Sequence, residues 1–146
     1  GSIPTTAATA DIIITGETTN NYFGYSLTSG DFNADGRIDL AIGAYGYSSS
    51  TGRTYLFYSD GSIPTTAATA DIIITGETTN NSFGASLASG DFNSDGKTDL
   101  AIGASGYSTN TGRAYIIITE AKVLGDNVEG STARGILKLR GNATLR

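Results

Sequence analysis

Apolar residues in this chain come in short runs, each broken within a few positions by Gly, Asn, Asp or Ser. In the first sixty residues the runs are Asp11-Ile12-Ile13-Ile14-Thr15, halted by Gly16, and Phe23-Gly24-Tyr25-Ser26-Leu27, ending near Gly30. Ile38-Asp39-Leu40-Ala41-Ile42 follows, ending at Gly43, and then Arg53-Thr54-Tyr55-Leu56-Phe57-Tyr58. Runs of this length, rich in β-branched and aromatic residues and bounded by turn formers, predict strands. No stretch keeps a 3.6-residue period over helical length. The small residues Ala41, Gly43 and Ala44 in the third run would let a neighbouring sheet approach closely.

The pattern is written twice. Residues 1–60 and 61–120 align without a gap, and both begin GSIPTTAATADIIITGETTNN. Four strands per repeat predict one four-stranded antiparallel sheet, as in a propeller blade. The tail is not a third copy. Gly135-Ile136-Leu137-Lys138-Leu139-Arg140-Gly141-Asn142 lies over the first run and its glycine, and reads as a further strand of that type. The expected organisation is a leading outer, ring-closing strand in 1–21, a first blade in 22–80 and a second blade in 81–146. The second blade would include a long loop at 121–132 and the terminal strand at 135–142. That is one outer strand more than two blades need.

Composition narrows the chemistry. The chain has no Cys and no His, which removes thiol nucleophiles, disulfides, imidazole bases and the usual zinc ligands. Lys and Tyr remain, but nothing groups them, so no enzyme is expected. Net charge is −5. Residues 1–120 carry 12 acidic and 4 basic side chains, whereas 121–146 carry 5 basic and 2 acidic. An acidic body argues against nucleic acid and suits cations. No stretch has the length of a membrane span, and no signal peptide is legible at the first residues.

Each repeat holds one acidic loop, DFNADGRID and DFNSDGKTD. Asp31, Asn33, Asp35, Gly36 and Asp39 stand at relative positions 1, 3, 5, 6 and 9, and Asp91, Asn93, Asp95, Gly96 and Asp99 repeat them. Oxygen ligands at 1, 3 and 5, a backbone carbonyl at 7 and a carboxylate at 9 wrap a cation of calcium size, with Gly at 6 for the turn. Position 7 is Arg37 or Lys97, each offering its main-chain carbonyl. Position 12 is Ile42 or Ile102, so the bidentate Glu of an EF-hand is absent and Asp39 and Asp99 are the candidates for the last carboxylate. Magnesium tolerates a flexible all-protein cage poorly. The plainer alternative is that the Asp and Asn residues only form Asx-turns in a hairpin.

With Phe23-Gly24, the loop 31–39, Gly43-Ala44 and Gly52-Arg53 in order, and Phe83-Gly84, 91–99, Gly103-Ala104 and Gly112-Arg113 after them, the chain resembles the FG-GAP repeat family of integrin-alpha-like blades. The proline that ends the family motif is replaced by Tyr45 and Ser105. The resemblance implies an all-β propeller with one Ca2+ per repeat, in the loop between the first two strands of each blade. It also implies an extracellular or cell-surface setting, with bacterial surface proteins among the family.

Two blades leave both faces of the stack open, and each is apolar. Closure by self-association is the expected remedy, as a cyclic homo-oligomer with a trimer preferred over a tetramer. The expected function is a calcium-binding structural or adhesion module with a protein or glycan ligand. A lectin-like propeller is the alternative. The copies differ at Tyr22/Ser82, Tyr25/Ala85 and Tyr45/Ser105. By family analogy Tyr22, Tyr45 and Tyr47 lie opposite the calcium face, where they would either stack on a ligand or pad the contact between blades.

Overall fold

The computed structural model describes residues 3–120. The expected loop at 121–132 and terminal strand at 135–142 lie outside the described residues.

Among the described residues, seven strands make two antiparallel sheets. The first is four-stranded in the order β1 (Ser26–Gly30), β2 (Asp39–Ala44), β3 (Arg53–Phe57) and β4 (Ile72–Thr75). The second is three-stranded: β5 (Phe83–Gly90), β6 (Asp99–Ala104) and β7 (Arg113–Ile117). The first sheet therefore crosses the repeat boundary. It takes its fourth strand from the opening of the second copy, in the register Arg53↔Thr75 to Leu56↔Ile72.

The identical run at 11–15 does not form the expected strand. Only Thr15 is bridged, to Thr66, with Thr15 N–H donating to the Thr65 carbonyl and Ala67 N–H to the Thr15 carbonyl. Ile72–Thr75 has the edge of β3 beside it, whereas residues 11–14 meet no strand edge among the described residues. Strand formation depends on that partner more than on local preference.

Packing between the sheets explains the small residues of the third run. β5 lies across the first sheet, and Phe83, Leu100 and Ile102 share one buried cluster with Ala41, Leu56 and Phe32. Ser26 Oγ donates to the Gly84 carbonyl at 2.6 Å and Thr28 Oγ1 bonds Ser89 Oγ at 3.0 Å, so hydroxyls satisfy the polar rim of this contact. On its other face the first sheet buries Ile42, Tyr55 and Phe57 beneath Ile14, Phe23, Ile63 and Ala67.

Between β2 and β3, and again between β6 and β7, a tight turn runs through left-handed backbone. Ser48, Ser49 and Ser50 have φ of 47, 55 and 59°, and Ser108, Thr109 and Asn110 have 47, 57 and 67°. Asn tolerates this region through its short polar side chain, whereas the β-branched Thr109 holds it against its own preference. Among the described residues no helix is long and apolar enough to cross a membrane.

Candidate metal centre

The two acidic loops connect β1 to β2 and β5 to β6, at the same end of each sheet. Both fold alike. Asp31 takes the Asp35 N–H on Oδ1 at 3.0 Å and the Gly36 N–H on Oδ2 at 2.8 Å. Asn33 Oδ1 accepts the same Asp35 N–H at 3.0 Å. In the second copy the Asp95 and Gly96 N–H groups bond Asp91 at 3.0 and 2.8 Å, and Asn93 Oδ1 accepts from Asp95 at 2.9 Å. The turn needs φ of 86° at Gly36 and 84° at Gly96, which a residue without Cβ adopts freely. The sequence thus winds positions 1, 3 and 5 around one short stretch of backbone.

Asp39 and Asp99 stand apart from this winding. Asp39 is 1% exposed; its Oδ2 accepts the Phe32 N–H and its Oδ1 the Ser59 N–H, each at 2.9 Å. Asp99 repeats the arrangement with Phe92 at 2.9 Å and Thr119 at 2.8 Å. Each carboxylate ties the start of its loop to the end of the third strand of its sheet. A buried charge is tolerable there because both oxygens receive donors.

The donor set is all oxygen, as a hard cation of calcium size requires. Asp31, Asn33, Asp35 and Asp39 fit that chemistry, as do Asp91, Asn93, Asp95 and Asp99; the carboxylates at positions 1 and 9 each hold two backbone amides as well. Among the described residues no three acidic side chains close into a metal-holding group. Arg37 reaches back to Asp35 at 2.9 Å and Lys97 to Asp95 at 3.6 Å. The Arg37 side chain, its backbone N–H and Asn33 hold the Asp35 carboxyl below the usual carboxylate range. Asn93 does the same for Asp95, with the Lys97 N–H adding to it.

One group of residues at the opposite end escapes a reading of motif spacing. Arg53 pairs with Glu17 through Nη1 at 2.9 and 3.1 Å, donates from Nε to Thr75 Oγ1 at 3.0 Å, and lies 3.6 Å over the Tyr47 ring. Arg113, Glu77 and Tyr107 repeat the pairing and the stacking. Only the recurrence of Gly-Arg at the same place in both copies hints at this clamp.

The tyrosines fall into two groups. Tyr22 and Tyr45 stack with centroids 4.9 Å apart and planes at 9°, and Tyr25 meets Tyr45 edge-on at 4.6 Å. Tyr47 belongs to the arginine clamp instead. Tyr22 holds φ of 54°, unusual for a bulky residue, as Ser82 does at 53° in the second copy.

Comparison with known proteins agrees with this architecture. The family described as FG-GAP repeat matches residues 23–57 and again 83–117. The chain is 36% identical to integrin alpha-IIb of Mus musculus over 112 residues, 70% of this chain and 11% of that protein. It is 39% identical to phosphatidylinositol-glycan-specific phospholipase D of Mus musculus over 104 residues, 64% of this chain and 12% of that protein. Against integrin alpha-5 of Xenopus laevis it is 39% identical over 98 residues, 61% of this chain and 9% of that protein. The chain thus spans only a small fraction of the length of these relatives.

Proposed function

This chain carries two FG-GAP repeats, and we propose that it is a non-catalytic, calcium-binding propeller module of structural or adhesion type, at the cell surface or outside the cell. The observation that carries the reading is the twice-repeated winding of Asp31-Asn33-Asp35 and Asp91-Asn93-Asp95, each with its position-1 carboxylate seated on the amides of positions 5 and 6. Calcium would be held by Asp31, Asn33, Asp35, the Arg37 carbonyl and Asp39, and by Asp91, Asn93, Asp95, the Lys97 carbonyl and Asp99, one ion per repeat. Because a bound cation selects the folded loop, it adds stability by mass action, about 2.7 kcal/mol at a hundredfold excess over Kd. The likeness to integrin alpha subunits supports the adhesion reading.

Among the described residues the second sheet has three strands, which supports assembly from several chains. Residues 11–15 of a neighbour would lie along its third strand as a fourth, and a closed ring of three chains, or of four, would follow. Mass in solution and thermal midpoint, each measured in calcium and in chelator, test the reading. A multi-chain mass and a calcium-raised midpoint are expected. A midpoint unmoved by millimolar calcium would remove the metal, and a single-chain mass at micromolar concentration would remove the ring.

A glycan-binding surface is the second reading, favoured by the Tyr22–Tyr45–Tyr25 cluster. Its mark would be glycan-array binding that Tyr22→Ser and Tyr45→Ser abolish.

A further inference from the structure

We propose that the chain presents, at its two ends, the two unfilled halves of the contact that joins its own sheets, and that a second copy docked head to tail fills them. This rests on the assembly reading above and names the surface that performs it.

The internal contact is the template. The N–H groups of Asn80, Ser82 and Phe83 donate to the carbonyls of Ser49, Ser50 and Thr51 at 3.0, 2.7 and 3.3 Å, and Gly76 N–H to the Gly52 carbonyl at 3.0 Å. Phe83 and Gly84 cross directly over Gly52 and Gly43, where a Cβ would meet the Phe83 and Gly84 carbonyl oxygens at 2.0 and 2.1 Å. The left-handed turn of the first copy thus aims a row of carbonyls at the second copy, and two glycines clear the path.

One repeat later the same acceptor row is present, with no donor on it among the described residues. The turn at 108–112 has the same left-handed backbone, with Gly112 at φ 77° against 83° for Gly52. Among the described residues none of the turn and loop hydrogen bonds ends on the carbonyls of Thr109, Asn110, Thr111 or Gly112. Among the described residues, Gly112 and Gly103 meet nothing from another sheet. One repeat earlier lies the matching donor row: none of those bonds starts from the N–H of Gly16, Asn20, Tyr22 or Phe23, and a Cβ on Gly24 would meet nothing within 4 Å.

Burial follows the same logic. Phe32 and Leu56, covered by the second sheet, are 7 and 5% exposed; their counterparts Phe92 and Ile116 are 49 and 47% exposed. On the inserting side, Leu87 packs against the shared core, whereas its counterpart Leu27 is 57% exposed. Thr98 touches Gly30 across the contact, whereas its counterpart Ile38 is 66% exposed. Apolar surface is therefore bare at the two places where the internal contact covers its equivalent. The register of β3 with β4 carries over too: residues 12–15 of the second copy would lie along β7 as 72–75 lie along β3. The halves are different surfaces on opposite ends, so the contact is heterologous: it closes into a ring or continues as a filament according to its rotation.

The test uses the full chain with Leu27→Asp, which spoils the inserting half, and Ile116→Asp, which spoils the receiving half. Sedimentation at micromolar concentration should find the parent multi-chain and each variant alone at the single-chain mass of 15.0 kDa. An equal mixture should form a two-chain complex and nothing larger, because one intact contact remains and both outer halves carry Asp. Recovery in the mixture also proves both variants folded. Ile38→Asp with Phe92→Asp is a second pair and should behave alike.

A single-chain parent, a variant that alone keeps the parent's mass, or mixtures of both pairs that stay single-chain would overturn the proposal. A parent that grows without limit as concentration rises, with complementation intact, would keep this contact and remove the closed ring.

Discussion

Gly43 and Gly84 face one another so closely that a methyl group on Gly43 would sit 2.1 Å from the Gly84 carbonyl oxygen. The obstacle is backbone, which cannot swing aside. Gly103, the equivalent of Gly43, would meet only the Ser86 hydroxyl of its own sheet at 2.2 Å, and a hydroxyl can rotate. Gly43→Ala should therefore lower the unfolding free energy by about 1–3 kcal/mol, as overpacking does, and Gly103→Ala by less. Urea midpoints of the two variants decide this, and equal losses would mean that the sheets do not approach as described.

The arginine clamps should differ in the same sense. Arg53 and Glu17 keep 21 and 18% side-chain exposure, Arg113 and Glu77 keep 41 and 47%. Lys has one nitrogen and no planar group, so it cannot donate to the glutamate and to a hydroxyl from separate nitrogens while stacking on tyrosine. Arg53→Lys should cost about 1–2 kcal/mol, and Arg113→Lys under about 1 kcal/mol, as exposed pairs do. Thermal or urea unfolding of both variants in 0.15 M salt checks the order.

Asp31 and Asp39 should respond differently to calcium. Asp39→Asn places an amide nitrogen against a backbone N–H in a buried site and should already cost about 2–3 kcal/mol in chelator, with a further loss in calcium. Asp31→Asn gives up one amide contact at an exposed site and should cost more in calcium than in chelator, because its larger loss is the ion. Thermal midpoints of both variants in 1 mM calcium and in chelator separate the two roles.

Alkaline pH should weaken the fold through Tyr55. Burial, and a hydrogen bond to Glu17, raise this phenol from 10.0 to about 12. The folded state holds the proton more tightly, so its contribution is full below pH 10 and is lost as pH rises through about 12. Stability should fall across that window by about 2–3 kcal/mol more in the parent than in Tyr55→Phe. Urea unfolding at pH 9, 10, 11 and 12 measures the difference.

Much of the site was legible beforehand. The spacing Asp31-Asn33-Asp35-Gly36 dictates its own turn, because short side chains reach amides two to five residues on, and those contacts need no other part of the chain. Asp39 was legible as a residue of the loop but not as a buried tie, since one of its partners, Ser59, lies twenty residues later. Arg53 was legible only as half of a recurring dipeptide. Glu17, Tyr47 and Thr75 come to it from three separate segments, and no local pattern records that meeting.

The sequence by itself determined the repeated unit, the strand-forming runs, the acidic loops and the absence of thiol and imidazole chemistry, since each depends on residue type and short-range geometry. Tertiary structure alone decided which runs became strands. Ile12–Thr15 and Ile72–Thr75 read identically, yet only the second is a strand, because a strand is half of a contact and its edge must be supplied from elsewhere. The same reason leaves Phe32 buried and Phe92 exposed in nearly identical repeats: burial is a property of the neighbour as much as of the residue.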